Sequence, residues 1–146
     1  MNGDEIEVRL LSSQDIGVLE NVDEEVFDHA VDRGLAAEFL AEPTHSLCVA
    51  IDHGLVVGMA SAVRYVHPDK KAQLWINEVG VSGRWRNRGV AKKILDALLD
   101  HGRKISCTEA WVLTDADNRP ARALYRSAGG IESEQLMVTF DLKTAR

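Results

Sequence analysis

Alternation in "IEVRLL" (6–11) stops at "SSQD", where Ser12 and Asp15 have capping-box spacing, so a first strand should hand over to a first helix. Apolar residues then recur at helical intervals in "RGLAAEFLAE", a second helix that ends before Pro43. "SLCVAID" and "LVVGMASAVRYV" flank the turn signal "DHG" and read as two strands of a hairpin. A third run of β-formers, "AQLWINEVGV", predicts the central strand of a meander. Val90, Ile94, Leu95, Leu98 and Leu99 return to helical spacing and predict a long amphipathic helix. "EAWVLTD" is again a strand, and "RPARALYRSAGG" carries Pro near its start and glycines past its end, as a helix does. "SEQLMVTFDL" alternates, with Leu136, Val138, Phe140 and Leu142 on one face, and predicts a closing strand.

The order β, α, α, β, β, β, α, β, α and one or two further β predicts a mixed α/β sheet. In it the strand at 109–115 lies parallel to the central one and the earlier hairpin is antiparallel. The 146 residues suit one domain over residues 1–146. The opening "MNGDEIEVRL" holds no long apolar run, which predicts neither a signal peptide nor a membrane span and a cytoplasmic location. Cys48 and Cys107 stand in apolar surroundings without metal spacing and read as small buried thiols; the five histidines form no ligand pattern and read as surface, so no metal is expected.

Charge sharpens the picture. The formal net charge is −6, yet "RWRNRGVAKK" (84–93) holds five basic residues and no acid, leaving −11 elsewhere. An acidic body of this kind argues against nucleic acid and for a small anion. Through Glu42 there are twelve acids against Arg9 and Arg33. They are a solvated helical surface or a wall that attracts a cationic substrate.

The basic segment lies between a strand and the first turn of a helix, where free amides and the helix dipole favour phosphate and Gly89 lets the backbone approach. The Walker pattern fails because Gly83 and Gly89 are six apart and "VAKK" follows; the Rossmann glycines are missing. "RNRGVA", Arg86 to Ala91, matches the Arg/Gln-x-x-Gly-x-Gly/Ala signature of the GNAT N-acetyltransferases, and "DADNRPARALYRSAGG" matches a second element of that family. The chain resembles this family from about residue 5 to 142. Its subgroup most similar to "INEVGVSGRWRNRGVAKKILDALL" and the closing "MVTFDL" is the aminoglycoside 3-N-acetyltransferases, although Glu78 stands where that subgroup more often has Asp.

The resemblance implies a mainly antiparallel sheet of six to seven strands with about four helices, central strands splayed around the cofactor, and acetyl-CoA as donor. It implies acetyl transfer to an amine of an aminoglycoside, at the 3-N position. A peptide amine or small amine as acceptor, or a module that binds CoA without turnover, keeps the same fold. The implied partner is a cationic small-molecule amine, with no nucleic acid and no membrane; a homodimer stays open.

Glu78 is the implied base, against a solvated strand carboxylate; by parity it shares the face of Leu74 and Ile76 unless a bulge at Gly80 resets the alternation. Val79, Gly80 and Val81 would pair their backbone with the pantetheine arm, and Arg86, Asn87, Arg88, Gly89, Val90 and Ala91 would cradle the pyrophosphate. Gly80 is equally a bulge or a close backbone contact. Trp85 reads as packing. Tyr125 is the implied acid, against a packed helix tyrosine. Asn118 would bond the pantetheine amides or cap its helix. Asp115 and Asp117, with Glu78, line the acceptor cleft or are turn residues.

Overall fold

A computed structural model of the chain describes residues 5–143. Five strands form one sheet in the order β1 (Glu7–Leu10), β2 (His45–Asp52), β3 (Leu55–His67), β4 (Lys70–Val81) and β5 (Glu109–Val112). The first four are antiparallel neighbours, and β5 joins β4 in parallel. The hairpin between β2 and β3 turns on His53 (φ 49°) and Gly54 (φ 82°), both in the left-handed region that a tight two-residue connection requires. Ser12 starts a 3-10 helix, Ser13–Glu20, through the expected reciprocal capping with Asp15, and Asp32 caps α1 (Arg33–Ala41) by accepting from the Leu35 amide at 2.9 Å. The long helix α2 (Val90–Lys104) and the short α3 (Arg119–Ser127) complete the elements.

The sheet separates two apolar layers. On one face α2 buries Val90, Ile94, Leu95 and Leu98 against Cys48, Ala50, Ala60, Ala62, Leu74 and Ile76. On the other the 3-10 helix and α1 pack on Leu47, Val49, Ile51, Val56 and Met59. Each face follows from the period-two alternation of the strands and the 3.6-residue period of α2. Cys48 is buried in the first layer, and burial pushes its thiol up to about 12. His45, expected at the surface, is half-buried beside the Phe39 ring, 4.8 Å between centroids. No helix among the described residues is long and apolar enough to cross a membrane.

The sheet has five strands, not six to seven. The expected closing strand is the difference: from Gly129 to Lys143 every residue is exposed, and residues 131–142 are extended without a partner strand among the described residues. The alternation that predicts a strand is real, but no apolar surface of the domain covers it.

Candidate active site

β4 and β5 pair only from Gln73↔Glu109 to Ile76↔Val112. Beyond Ile76, β4 runs on to Val81 with β3 alone on its other side, through Val79↔Ala60, Gly80↔Met59 and Val81↔Gly58. The backbone groups of Asn77–Val81 that would face a continuing β5 therefore line a gap. This is the expected splaying of the central strands, and it arises because β5 stops at Val112 while β4 does not.

A bulge decides where Glu78 points. Ser61 pairs with Glu78 and Ala62 with Ile76, so Asn77 is the extra residue and the alternation resets there. The bulge lies at Asn77, not at Gly80. Glu78 consequently leaves the α2 face of Leu74 and Ile76 and enters a cleft of about 330 Å³ on the opposite face, with Leu19, Phe27, Asp28, Asp32, Phe39 and Ser61 among its walls. Its carboxyl is held above the ordinary glutamate range first by burial and then by the charge of Asp28. Gly80 is small because a Cβ there would sit 2.6 Å from the Val26 carbonyl oxygen, the close-contact alternative.

The segment 84–91 forms a short 3-10 turn, Gly83–Trp85, then a loop with Asn87 (φ 59°) and Gly89 (φ 77°) in the left-handed region, then the first turn of α2. No side chain caps α2, so the first amides of Val90 and Ala91 are open. Nothing lies within 4 Å of a Cβ built on Gly89. The loop is braced from behind. Trp85 is buried and donates from Nε1 to Asp52 Oδ2 at 2.8 Å, and Arg86 Nε donates to the Val81 carbonyl at 2.9 Å. Arg88 is exposed, and Lys92 pairs with Asp96 at 2.8 Å. An uncapped helix start, an open left-handed glycine and free strand amides on one strand–loop–helix unit fit a diphosphate and an extended amide-bearing arm.

Tyr125 lies elsewhere. It borders a cavity of about 270 Å³ on the α2 face, with Leu74, Ile76, Leu95, Leu99 and Val112, and burial raises its phenol. Its hydroxyl therefore keeps its proton at neutral pH and is available as a donor. Glu78 and Tyr125 thus stand on opposite faces of the sheet, and the parting of β4 from β5 is what lies between those faces. Asn118 caps α3, accepting from the Ala121 amide at 3.2 Å. Asp115 and Asp117 stand in the exposed turn before α3, their carbonyls accepting from the Asn118 and Arg119 amides at 3.0 Å each, and neither is among the residues lining the Glu78 cleft.

Three acids of the first third do reach the site. Asp28 and Asp32 line the cleft, and Glu25 Oε1 accepts from Ser82 Oγ at 3.1 Å and from the Gly83 amide at 2.9 Å, which ties the segment 23–28 to the loop that follows β4. The density of acids before Glu42 is the signal that carries them; which ones fold inward depends on the Glu25 contact and the Val26 carbonyl, which residue types do not encode.

The family model for "Acetyltransferase (GNAT) family" matches residues 15–129. No curated protein sequence matches the chain. Among solved structures, the aminoglycoside acetyltransferase meta-AAC0020 from an uncultured soil metagenomic sample, in complex with trehalose, has TM-score 0.81 and 19% identity, over 95% of this chain and 97% of that one. Its complex with sisomicin has TM-score 0.79 at 19% identity, over 93% and 95%. AAC(6')-Iy in complex with the bisubstrate analogue CoA-S-monomethyl-acetylneamine has TM-score 0.78 at 19% identity, over 94% and 99%. These neighbours share the fold, and the one whose name states a position is a 6' enzyme, so the 3-N expectation is not carried over. With the strand–loop–helix geometry and the family match in agreement, the chain belongs to the acetyltransferase (GNAT) family, as an N-acetyltransferase with acetyl-CoA as its donor.

Proposed function

We propose that the acceptor is an aminoglycoside, a small polycation, and that Glu78 is the base. The observation that carries this reading is the convergence of Asp28, Asp32 and Glu78 on one cleft whose floor adjoins the free backbone of β4. Three carboxylates around about 330 Å³ suit several ammonium groups on one molecule better than they suit a peptide N-terminus with a single charge. The solved neighbours that hold sisomicin or an acetylneamine analogue support the same class.

When bound, acetyl-CoA supplies the activated acyl group. The Gly89 loop and the open amides of Val90 and Ala91, with Arg86, Asn87 and Arg88 around them, hold the diphosphate. The backbone of Val79, Gly80 and Val81 orients the pantetheine arm, and the Val79 amide donates toward the thioester oxygen, where charge develops. Glu78 accepts a proton from the acceptor ammonium, directly or across one water, and its raised pKa makes it the stronger base for that step. Tyr125 returns a proton to the departing thiolate. Asn118 holds the start of α3, and so the helix that carries Tyr125, while Asp115 and Asp117 shape the turn before it.

A thiol-release assay with acetyl-CoA against sisomicin, neamine-type aminoglycosides, polyamines and Ala-started peptides tests the reading, and NMR of the product fixes the acylated nitrogen. Turnover on aminoglycosides is expected. Turnover confined to peptides would overturn the acceptor and leave the acetyltransferase intact.

A further inference from the structure

We propose that the Trp75–Trp111 pair extends the acceptor site: an aromatic wall that takes a second, cationic ring of the acceptor while the amine to be acylated stands at Glu78. This rests on the reading of the acceptor as an aminoglycoside. Register decides which face the rings occupy. Leu74 and Ile76 are buried on the α2 side of the sheet, so Trp75 between them points to the other side. The extra residue Asn77 puts Glu78 on that same side, in the cleft. Trp111 is the partner of Trp75 across β4 and β5, and the two rings stack with centroids 5.4 Å apart and planes 17° from parallel. Wall and base therefore share one strand and one face, three residues or about 10 Å apart.

Packing within the domain does not account for the pair. The apolar layer under the 3-10 helix and α1 is built on β2 and β3, through Leu47, Val49, Ile51, Val56 and Met59, and includes no side chain of β4 or β5 among the described residues. Trp75 is 38% exposed and Trp111 half-buried. Trp85 shows the ordinary fate of the residue: it is buried, with its indole N–H bonded to Asp52. Charge around the wall points to the occupant. Toward the cleft stand Glu78, Asp28 and Asp32. Away from it, Gln73 and Glu109 pair one step back on the same face, where Gln73 Nε2 donates to Glu109 Oε1 at 3.3 Å and Glu109 is exposed. An apolar stretch with carboxylates at both ends suits a ring that lays C–H groups on an indole and turns ammonium groups to either side, and an ammonium near a tryptophan gains cation–π attraction as well. A linear polyamine offers the charges without the ring.

The chain has 3 tryptophans, so nitrogen-labelled protein gives one indole N–H signal for each, assigned with Trp75→Phe and Trp111→Phe. Neamine added without donor should shift the signals of Trp75 and Trp111 and leave that of Trp85 in place, whereas spermine should move none of them. In turnover, Trp75→Leu with Trp111→Leu should raise KM for neamine about 10-fold and leave kcat within about two-fold. Trp75→Phe with Trp111→Phe, which keeps a stacked pair, should recover most of that loss. The indole signals come from the unmodified chain, so they decide the matter even if the leucine variant misfolds. Neamine turned over with the Trp75 and Trp111 signals unmoved, or with its KM unchanged in the leucine variant, would overturn the wall and leave the acceptor reading standing. No turnover of any aminoglycoside would overturn the acceptor reading, and with it the wall's place in the acceptor site.

Discussion

Glu78 is an acid placed where charging costs stability. A glutamate raised in the folded state binds more protons than the unfolded chain between its ordinary and its raised pKa, so its contribution is fully favourable below the ordinary value and is lost as pH rises through the raised one. Glu78→Gln should therefore keep or raise the melting temperature at neutral pH while lowering kcat by about 10²-fold or more. A melting temperature that falls with activity would make Glu78 a structural residue. Asp28 is the second cause of the shift, after burial. Asp28→Asn should move the acid limb of the kcat/KM profile to lower pH, by less than the whole shift, and raise KM for a polycationic acceptor. An unmoved limb would mean that the titrating group is not Glu78.

Among the elements, β4 shows how far side-chain pattern reaches. Its β-formers, the hairpin before it and the helix after it were all readable from residue types, and so was the glycine-led start of α2. The side of β4 that Glu78 occupies was not: strict alternation puts it with Leu74 and Ile76, and one unpaired residue, Asn77, reverses that. Bulges depend on pairing across strands, which a single strand's residues do not record. Asp28 and Asp32 escaped for a related reason, since the segment 23–32 has no period and is placed by Glu25 and the Val26 carbonyl. Gly80→Ala tests that placement. A Cβ set 2.6 Å from the Val26 oxygen must push the segment away, at a cost of about 1–3 kcal/mol in denaturant unfolding, and should open the acceptor cleft, seen as a raised acceptor KM with the donor KM less affected.

Taken as one body, the molecule divides its charge by task. Glu25, Asp28 and Asp32 stand at the Glu78 cleft and beside the loop after β4, and the basic residues from Arg84 to Lys93 gather at the start of α2. The closing segment is where pattern and fold part company, because alternation favours an extended chain and says nothing about whether a neighbouring strand lies beside it. The end of pairing at Ile76 and Val112 has a kinetic consequence. A donor laid along the unpaired backbone of β4 beyond Ile76 and an acceptor in the acidic cleft would occupy separate places, so neither would bar the other and no half-reaction would have to finish first. Double-reciprocal plots at several fixed concentrations of the second substrate should intersect; a family of parallel lines would mean that the acyl group rests on the protein in between.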